Sequence, residues 1–222
     1  MVSGPAVDGY TRMFLTLWQA LTGDKTEVSD YLAPKGVQGT ADGYVIPYCD
    51  SPVDDEYVGE KVYLNVINGA KKYLYIQTPY LIIDDSMVSA LILAAKNGVD
   101  VKIMTPGVPD KRYVYLTTRS YYRELIEGGV KIYEYTPGFL HSKVMVADDE
   151  VATVGTVNLD YRSLYLHFEC GTWLCGSRAV HDIRADFEKT VSLCREVTLK
   201  DCKTGFFKSI LQSLIRLFAP LM

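Results

Sequence analysis

The sequence predicts an α/β domain, a mixed central sheet flanked by helices. Three observations carry that expectation. Between residues 44 and 135, short apolar segments alternate with segments of helical period, a rhythm that favours parallel strands joined by helical crossovers. After Gly138 the long helical segments drop out and strand-like segments follow one another on short connections, so part of the sheet is expected to be antiparallel. The chain has 222 residues, 48% hydrophobic and 23% charged, enough to bury a sizeable core without metal or disulfide staples.

The elements follow in order. Val7, Tyr10, Met13, Phe14, Leu17, Trp18 and Leu21 recur in steps of three and four, which predicts a helix over 5–21 with one buried face. Residues 22–42 are rich in Gly, Asp, Thr, Ser and Pro, without period, and read as a linker. Strands are expected over 44–48, 73–78, 99–105 and 130–135, and helices over 55–70, 84–97 and 113–127. The second of these helices has acidic residues at its start and Gly98 at its end, as the helix dipole and the left-handed C-terminal position favour. Three more strands are expected over 143–147, 151–155 and 168–174. A helix over 178–197 would turn Val180, Ile183, Phe187, Val191 and Cys194 inward. The chain thus divides into a helix and linker (1–42), one α/β domain (43–204) and a terminal helix (205–222).

Composition excludes several classes. A net charge of −4 gives no overall preference for nucleic acid, so no nucleic-acid partner is expected. Five irregularly spaced cysteines without CxxC, and three histidines, suggest neither a zinc site nor a disulfide framework. No cofactor or metal is expected. No apolar run reaches the ~18 residues of a membrane span, and no signal peptide is recognised. Over 206–218, Phe206, Phe207, Ile210, Leu211, Leu214, Ile215, Leu217 and Phe218 take one side of a helix, with Lys208 and Arg216 on the other. That pattern fits a helix packed on the domain, or one lying in a membrane interface and drawn to anionic lipid.

The chemistry concentrates in His141-Ser-Lys143, Asp148, Gly155-Thr156, Asn158 and Glu169. On an extended segment, positions 141 and 143 share a face and 148 points the other way. Imidazole and ammonium therefore converge, and Asp148 takes a structural or orienting role. Gly155 would let the backbone approach a ligand closely, and Asn158 would supply an amide donor. A histidine, a lysine, an amide and a backbone turn together suit an anion, above all a phosphate. The histidine fits either nucleophile or proton donor, with Lys143 and Asn158 stabilising phosphoryl oxygens.

The pattern H-x-K-x4-D-x6-G-T-x-N resembles the HKD motif of the phospholipase D superfamily at every motif position. Gln77-Thr-Pro-Tyr80, Arg119-Ser-Tyr-Tyr122, Pro137-Gly-Phe-Leu-His141 and Gly155-Thr-Val-Asn-Leu-Asp-Tyr-Arg-Ser163 make the chain similar to bacterial cardiolipin synthases. The resemblance implies a phospholipase D-like fold and a phosphohistidine mechanism without metal. His141 would attack phosphorus or protonate the leaving oxygen, most often the latter in the second motif. Lys143, Asn158, Gly155 and Thr156 would hold the phosphate, Asp148 would belong to the catalytic set, and Glu169 would bond the far nitrogen of the histidine. The reaction implied moves a phosphatidyl group from one phosphatidylglycerol to the glycerol hydroxyl of another. The implied partners are anionic phospholipid, the surface of a bacterial cell membrane, and a second HKD half or a symmetric copy. The fragment by itself could also be cytoplasmic.

One departure matters. Such enzymes carry two HKD motifs, and this chain carries one, since neither His167 nor His181 opens another H-x-K. The chain reads as the C-terminal half of such an enzyme or a truncated form of it. In-line displacement sets attacking and leaving atoms about 180° apart, so one histidine does not serve both. Three readings stay open: a half-site of phosphatidyl transfer, a homodimeric phosphodiesterase acting on lipid or nucleic acid, and a non-catalytic binder of anionic lipid. Asp160 and Arg162 read as a structural ion pair, the Tyr113–Tyr122 cluster as helix surface and core or as a headgroup rim, and Trp18 and Trp173 as core.

Overall fold

A computed structural model describes residues 2–32, 42–53, 55–203 and 214–221. Two helix–strand sets build it. The strands are β1 (Tyr44–Asp50), β2 (Tyr73–Gln77), β3 (Leu81–Ile82), β4 (Asp100–Pro106), β5 (Lys131–Tyr135), β6 (Val144–Ala147), β7 (Val151–Gly155), β8 (Leu159–Asp160), β9 (Glu169–Cys175) and β10 (Cys194–Val197). The helices are α1 (Val7–Thr22), α2 (Val58–Gly69), α3 (Asp85–Lys96), α4 (Arg112–Glu127), α5 (Tyr161–Tyr165) and α6 (Arg178–Val191).

Eight strands form one sheet in the order β1-β9-β7-β6-β2-β4-β5-β10. The pairs β2/β4 and β4/β5 are parallel and the others antiparallel, so the sheet is mixed as the change of rhythm after Gly138 implies. β3 and β8 form a small parallel pair apart from it. Side chains leave β2 alternately. Leu74 and Ile76 enter a core with Ile67 of α2, Leu91 of α3 and Leu125 of α4. Tyr73 and Tyr75 join Val180 and Phe187 of α6 on the opposite face. Both faces of the sheet are therefore covered, and every residue of β2 is buried.

Caps fix the helix starts. The Asp84 carboxylate accepts from the Met87 amide at 2.8 Å, and the Ser177 hydroxyl accepts from the Ala179 amide at 3.3 Å. Asp160 accepts from the Ser163 amide at 2.8 Å and starts α5. It is a cap rather than the partner of Arg162, and no ion pair joins the two among the described residues.

Three expectations change. The predicted helix over 178–197 ends at Val191, and residues 194–197 form β10 on the edge of the sheet. Ion pairs explain that choice. Buried Glu134 on β5 takes Arg195 of β10 at 2.6 Å and Arg119 of α4 at 2.6 Å, and a helical continuation would break the first. Second, α1 forms but its predicted face stays bare. Phe14 is 64% exposed and Trp18 46%, so Trp18 is not core. The helix rests on the sheet through Leu15, through Gly9 against Pro47, and through the Tyr10 hydroxyl on Thr172. Third, most of the apolar segment at 206–218 lies outside the described residues. Its described end is a helical turn over 214–217, where Arg216 pairs with Glu124 at 3.1 Å and lies 4.2 Å over the Tyr121 ring, while Leu217 and Phe218 are exposed. No described helix is long and apolar enough to cross a membrane.

Candidate functional site

The sheet brings the chemistry to one end. Register pairs Gln77 with Val144, Val144 with Val154 and Gly155 with Gly171. The C-terminal ends of β2 and β7 thus meet the N-terminal ends of β6 and β9. His141 and Lys143 precede β6, Thr156 and Asn158 follow β7, and Glu169 opens β9. Loops at the carboxyl ends of parallel strands are the usual place for ligands in such sheets.

The His141 segment is held from below. Ser142 donates its hydroxyl to Oε1 of Gln77, 2.8 Å away and buried at the end of β2. The His141 ring is exposed and packs on Phe139 with centroids 5.6 Å apart. Lys143 folds back, and its Nζ donates to the His141 carbonyl oxygen at 2.7 Å. Burial lowers the pKa of this lysine, while the Glu169 and Asp160 carboxylates pull it the other way. Neither forms an ion pair with it among the described residues. The result is a half-buried cation with no carboxylate bonded to it among the described residues, beside an exposed imidazole, a setting that an anion relieves.

Glu169 is nearly buried. It accepts the Thr156 hydroxyl, and its Oε1 lies 3.7 Å from Nδ1 of His167. The expected bond from Glu169 to His141 is not among the hydrogen bonds of the described residues; the imidazole beside this carboxylate is His167. Asp160 is buried, and burial raises its pKa, opposed by hydrogen bonds from the Ser163 amide and the Asn158 side chain. Asn158 therefore directs its amide to Asp160, not outward, and its buried Oδ1 has no partner. Gly155 is glycine for a reason other than ligand approach: a Cβ there would meet the Cys170 carbonyl oxygen at 2.4 Å, so β9 itself demands the missing side chain.

Asp148 belongs to the opposite end of β6. Its carboxylate accepts from the amides of Lys71, Lys72 and Tyr73 at 2.7, 2.8 and 2.9 Å. It ties the start of β2 to the β6–β7 turn, five residues along the chain from Lys143, roughly 17 Å at about 3.4 Å per residue. That separation sets it at the far end of β6 from His141 and Lys143. Sequence reasoning missed Gln77 as a support, although a glutamine ending a fully apolar strand needs a partner. It also missed His167 and the Thr156 bridge to Glu169, which no local spacing encodes. The tyrosines of α4 are partly core: Tyr121 and Tyr122 are buried, and Tyr122 bonds Thr105 at 2.6 Å.

Comparison places the fold first among phospholipase D-type domains. The phospholipase D family member Nuc from Salmonella typhimurium matches with a TM-score of 0.59 over 69% of this chain and 97% of its own, at 17% identity. Phosphatidylserine synthase from Haemophilus influenzae gives 0.62 over 80% of this chain and 45% of its own, at 16% identity. Residues 63–191 match the family described as cardiolipin synthase, PLD-like domain. The chain belongs to that family. It is 37% identical over its whole length to a cardiolipin synthase from Halalkalibacterium halodurans, of which it covers 44%. It spans about half the length of the curated relatives it matches.

Proposed function

We propose that this chain supplies one half of a phosphatidyl-transfer site. A phosphatidyl group passes from one phosphatidylglycerol to the glycerol hydroxyl of another, giving cardiolipin and glycerol through a phosphohistidine. The observation that carries the reading is Lys143, a half-buried ammonium with no carboxylate bonded to it among the described residues, next to the exposed His141 ring. A phosphodiester would neutralise the lysine and meet the imidazole at once.

In this reading His141 forms or breaks the bond to phosphorus, or passes the proton to the departing oxygen. In the free chain the Asn158 amide is held by the Asp160 carboxylate, so Asn158 reaches a phosphate only by giving up that bond. Glu169, Thr156 and Gly155 frame the wall behind, and Asp148 keeps the β6–β7 turn in place. The opposing histidine comes from a preceding half or from a second copy, and the bare face of α1 is where such a body would rest. The membrane contact is peripheral, through exposed Leu217 and Phe218.

The test is direct. Incubated with phosphatidylglycerol vesicles, the chain together with its complementary half is expected to form cardiolipin. His141→Ala should lower the rate by at least about a thousandfold, as removal of a nucleophile or its acid–base partner does. Product formed at the same rate by His141→Ala would end the proposal. Hydrolysis of a generic phosphodiester without transfer would move the chain to the phosphodiesterase reading, and vesicle binding without turnover to the non-catalytic one.

A further inference from the structure

The five cysteines are irregularly spaced in sequence, but the sheet opposes two of them. Cys49, near the end of β1, pairs across the antiparallel ladder with Cys170, the second residue of β9. Opposed residues share a face of the sheet. This face also carries Pro47 and Thr172, two residues along each strand, where α1 rests through Gly9 and Tyr10. The helix leaves both thiols exposed.

The kind of pair decides how close they come. Cys170 turns its backbone toward β7: its carbonyl oxygen accepts from the Thr156 amide at 2.8 Å, and its own amide donates to the Thr156 hydroxyl at 3.0 Å. The amide and carbonyl of one strand residue point the same way, so Cys170 turns neither toward β1, and Cys49 and Cys170 form a non-hydrogen-bonded pair. In such pairs the Cα atoms approach to about 4.5 Å, within the roughly 4.4–6.8 Å that a disulfide spans. The backbone is therefore already at bridging distance. The other three cysteines lack this setting. Cys175 faces Tyr44 and Val151, and Cys194 faces Tyr135. Burial pushes the Cys194 thiol up to about 11 and raises that of Cys202, which keeps both protonated and slow to react.

We infer that Cys49 and Cys170 are a site of reversible oxidation, joined as a disulfide by a peroxide. One thiolate attacks a peroxide oxygen, the O–O bond breaks, and a sulfenic acid forms as one water leaves. The second thiol attacks that sulfur, the S–O bond breaks, and a second water leaves. Two thiols and one hydrogen peroxide thus give one disulfide and two waters, the sulfurs losing the two electrons that the peroxide gains. An exposed bridge is of the labile kind, which a small thiol reopens. Its neighbours give it a consequence. The next pair in the register is Asp50 with Glu169. Asp50 holds the start of α2 through the Gly59 amide at 2.6 Å, and Glu169 accepts the Thr156 hydroxyl at the end of the sheet that carries His141. β1 is an edge strand, and β9 is its one strand partner among the described residues. The bridge staples that edge to the strand end bearing Glu169, whether or not the site transfers a phosphatidyl group.

The test treats the purified chain with equimolar hydrogen peroxide and compares it with the dithiothreitol-reduced form. Alkylation is expected to count three thiols, the five less the bridged two, with a mass loss of two hydrogens and a cross-linked peptide joining 49 to 170. The bridge closes a loop of about 120 residues, so the melting midpoint should rise by about 10 °C. Amide exchange over 48–50 and 169–171 should slow at least about tenfold. Dithiothreitol should reverse all three changes, and Cys49→Ser and Cys170→Ser should show none of them. Five thiols still reacting, a bridge between other cysteines, or links between chains in place of the internal one would overturn the inference. A 49–170 bridge that leaves exchange at 169–171 unchanged would overturn the staple.

Discussion

Two helices, α6 and α1, carry nearly the same apolar script and meet opposite fates. α6 reads Ala179-Val180 with Phe187 seven residues on, and α1 reads Ala6-Val7 with Phe14 seven residues on. Val180 and Phe187 are fully buried against the α6 face of the sheet, and Phe187 stacks on Tyr75 with centroids 4.7 Å apart. Val7 and Phe14 are exposed, and Phe14 stacks only on its neighbour Trp18, 6.0 Å away. An amphipathic period states that a face will be covered. It does not state by what. α6 packs this face on the sheet, while the Val7, Phe14 and Trp18 side of α1 meets no sheet among the described residues. A contiguous apolar face of this kind on a domain surface marks a contact with another body.

The largest expected difference is in stability. Phe187→Ala should cost about 3–5 kcal/mol by denaturant unfolding, from lost transfer energy and the cavity left behind. Phe14→Ala should cost under about 0.5 kcal/mol in the same chain. Equal losses would mean that the α1 face is buried in solution, and the contrast would vanish. Next comes association. If α1 is a docking face, Trp18→Lys should weaken binding to the complementary half or to a second copy by about 2 kcal/mol, roughly thirtyfold, measured by sedimentation, with the unfolding midpoint unchanged. An unaffected association constant would leave the face without a function.

The smallest effect is acid sensitivity. α6 is pinned to the β6–β7 turn by Arg184, whose Nη1 lies 2.7 Å from Asp149, with the Tyr73 hydroxyl donating to the same carboxylate at 2.9 Å. Partial burial works against the ionised carboxyl, but Arg184 and Tyr73 outweigh it and hold Asp149 below the usual carboxylate range. A depressed folded pKa gives stability that is present above the unfolded value, about 3.9, and is lost as pH falls through the folded one. Amide exchange in α6, relative to the unfolded-chain rate, should therefore quicken as pH falls below about 4 in wild type, and Asp149→Asn should flatten that change. A wild-type α6 whose exchange ignores that window would remove the anchor from the account.

The site shows the same division between local pattern and distant partner. His141, Lys143, Thr156, Asn158 and Glu169 were readable as a group because their spacing is tied to two short strands, and register then placed all five at one end of the sheet. That Asp148 turns away from Lys143 was readable from alternation, since the offset is odd, but its bonds to the amides of Lys71, Lys72 and Tyr73 were not. What each group bonds to was not readable. Glu169 reaches Thr156 and His167, Asn158 gives its amide to Asp160, and Gln77 supports Ser142 across 65 residues of sequence. Those partners depend on rotamers and loop paths that no residue spacing fixes.

The sequence was enough to set the order and type of the seven longer strands and of five helices, the mixed sheet, and the cluster of groups suited to a phosphate, because period, caps and turn residues act within a few positions of one another; the short β3, β8 and α5, and β10, were not legible in it. The tertiary structure decided the rest. It ended α6 early so that Arg195 could reach buried Glu134, made Gly155 answer to the backbone of β9, and left the Phe14 and Trp18 side of α1 exposed. Each of these is a contact between segments far apart in the chain, where burial and pairing energies outweigh local preference.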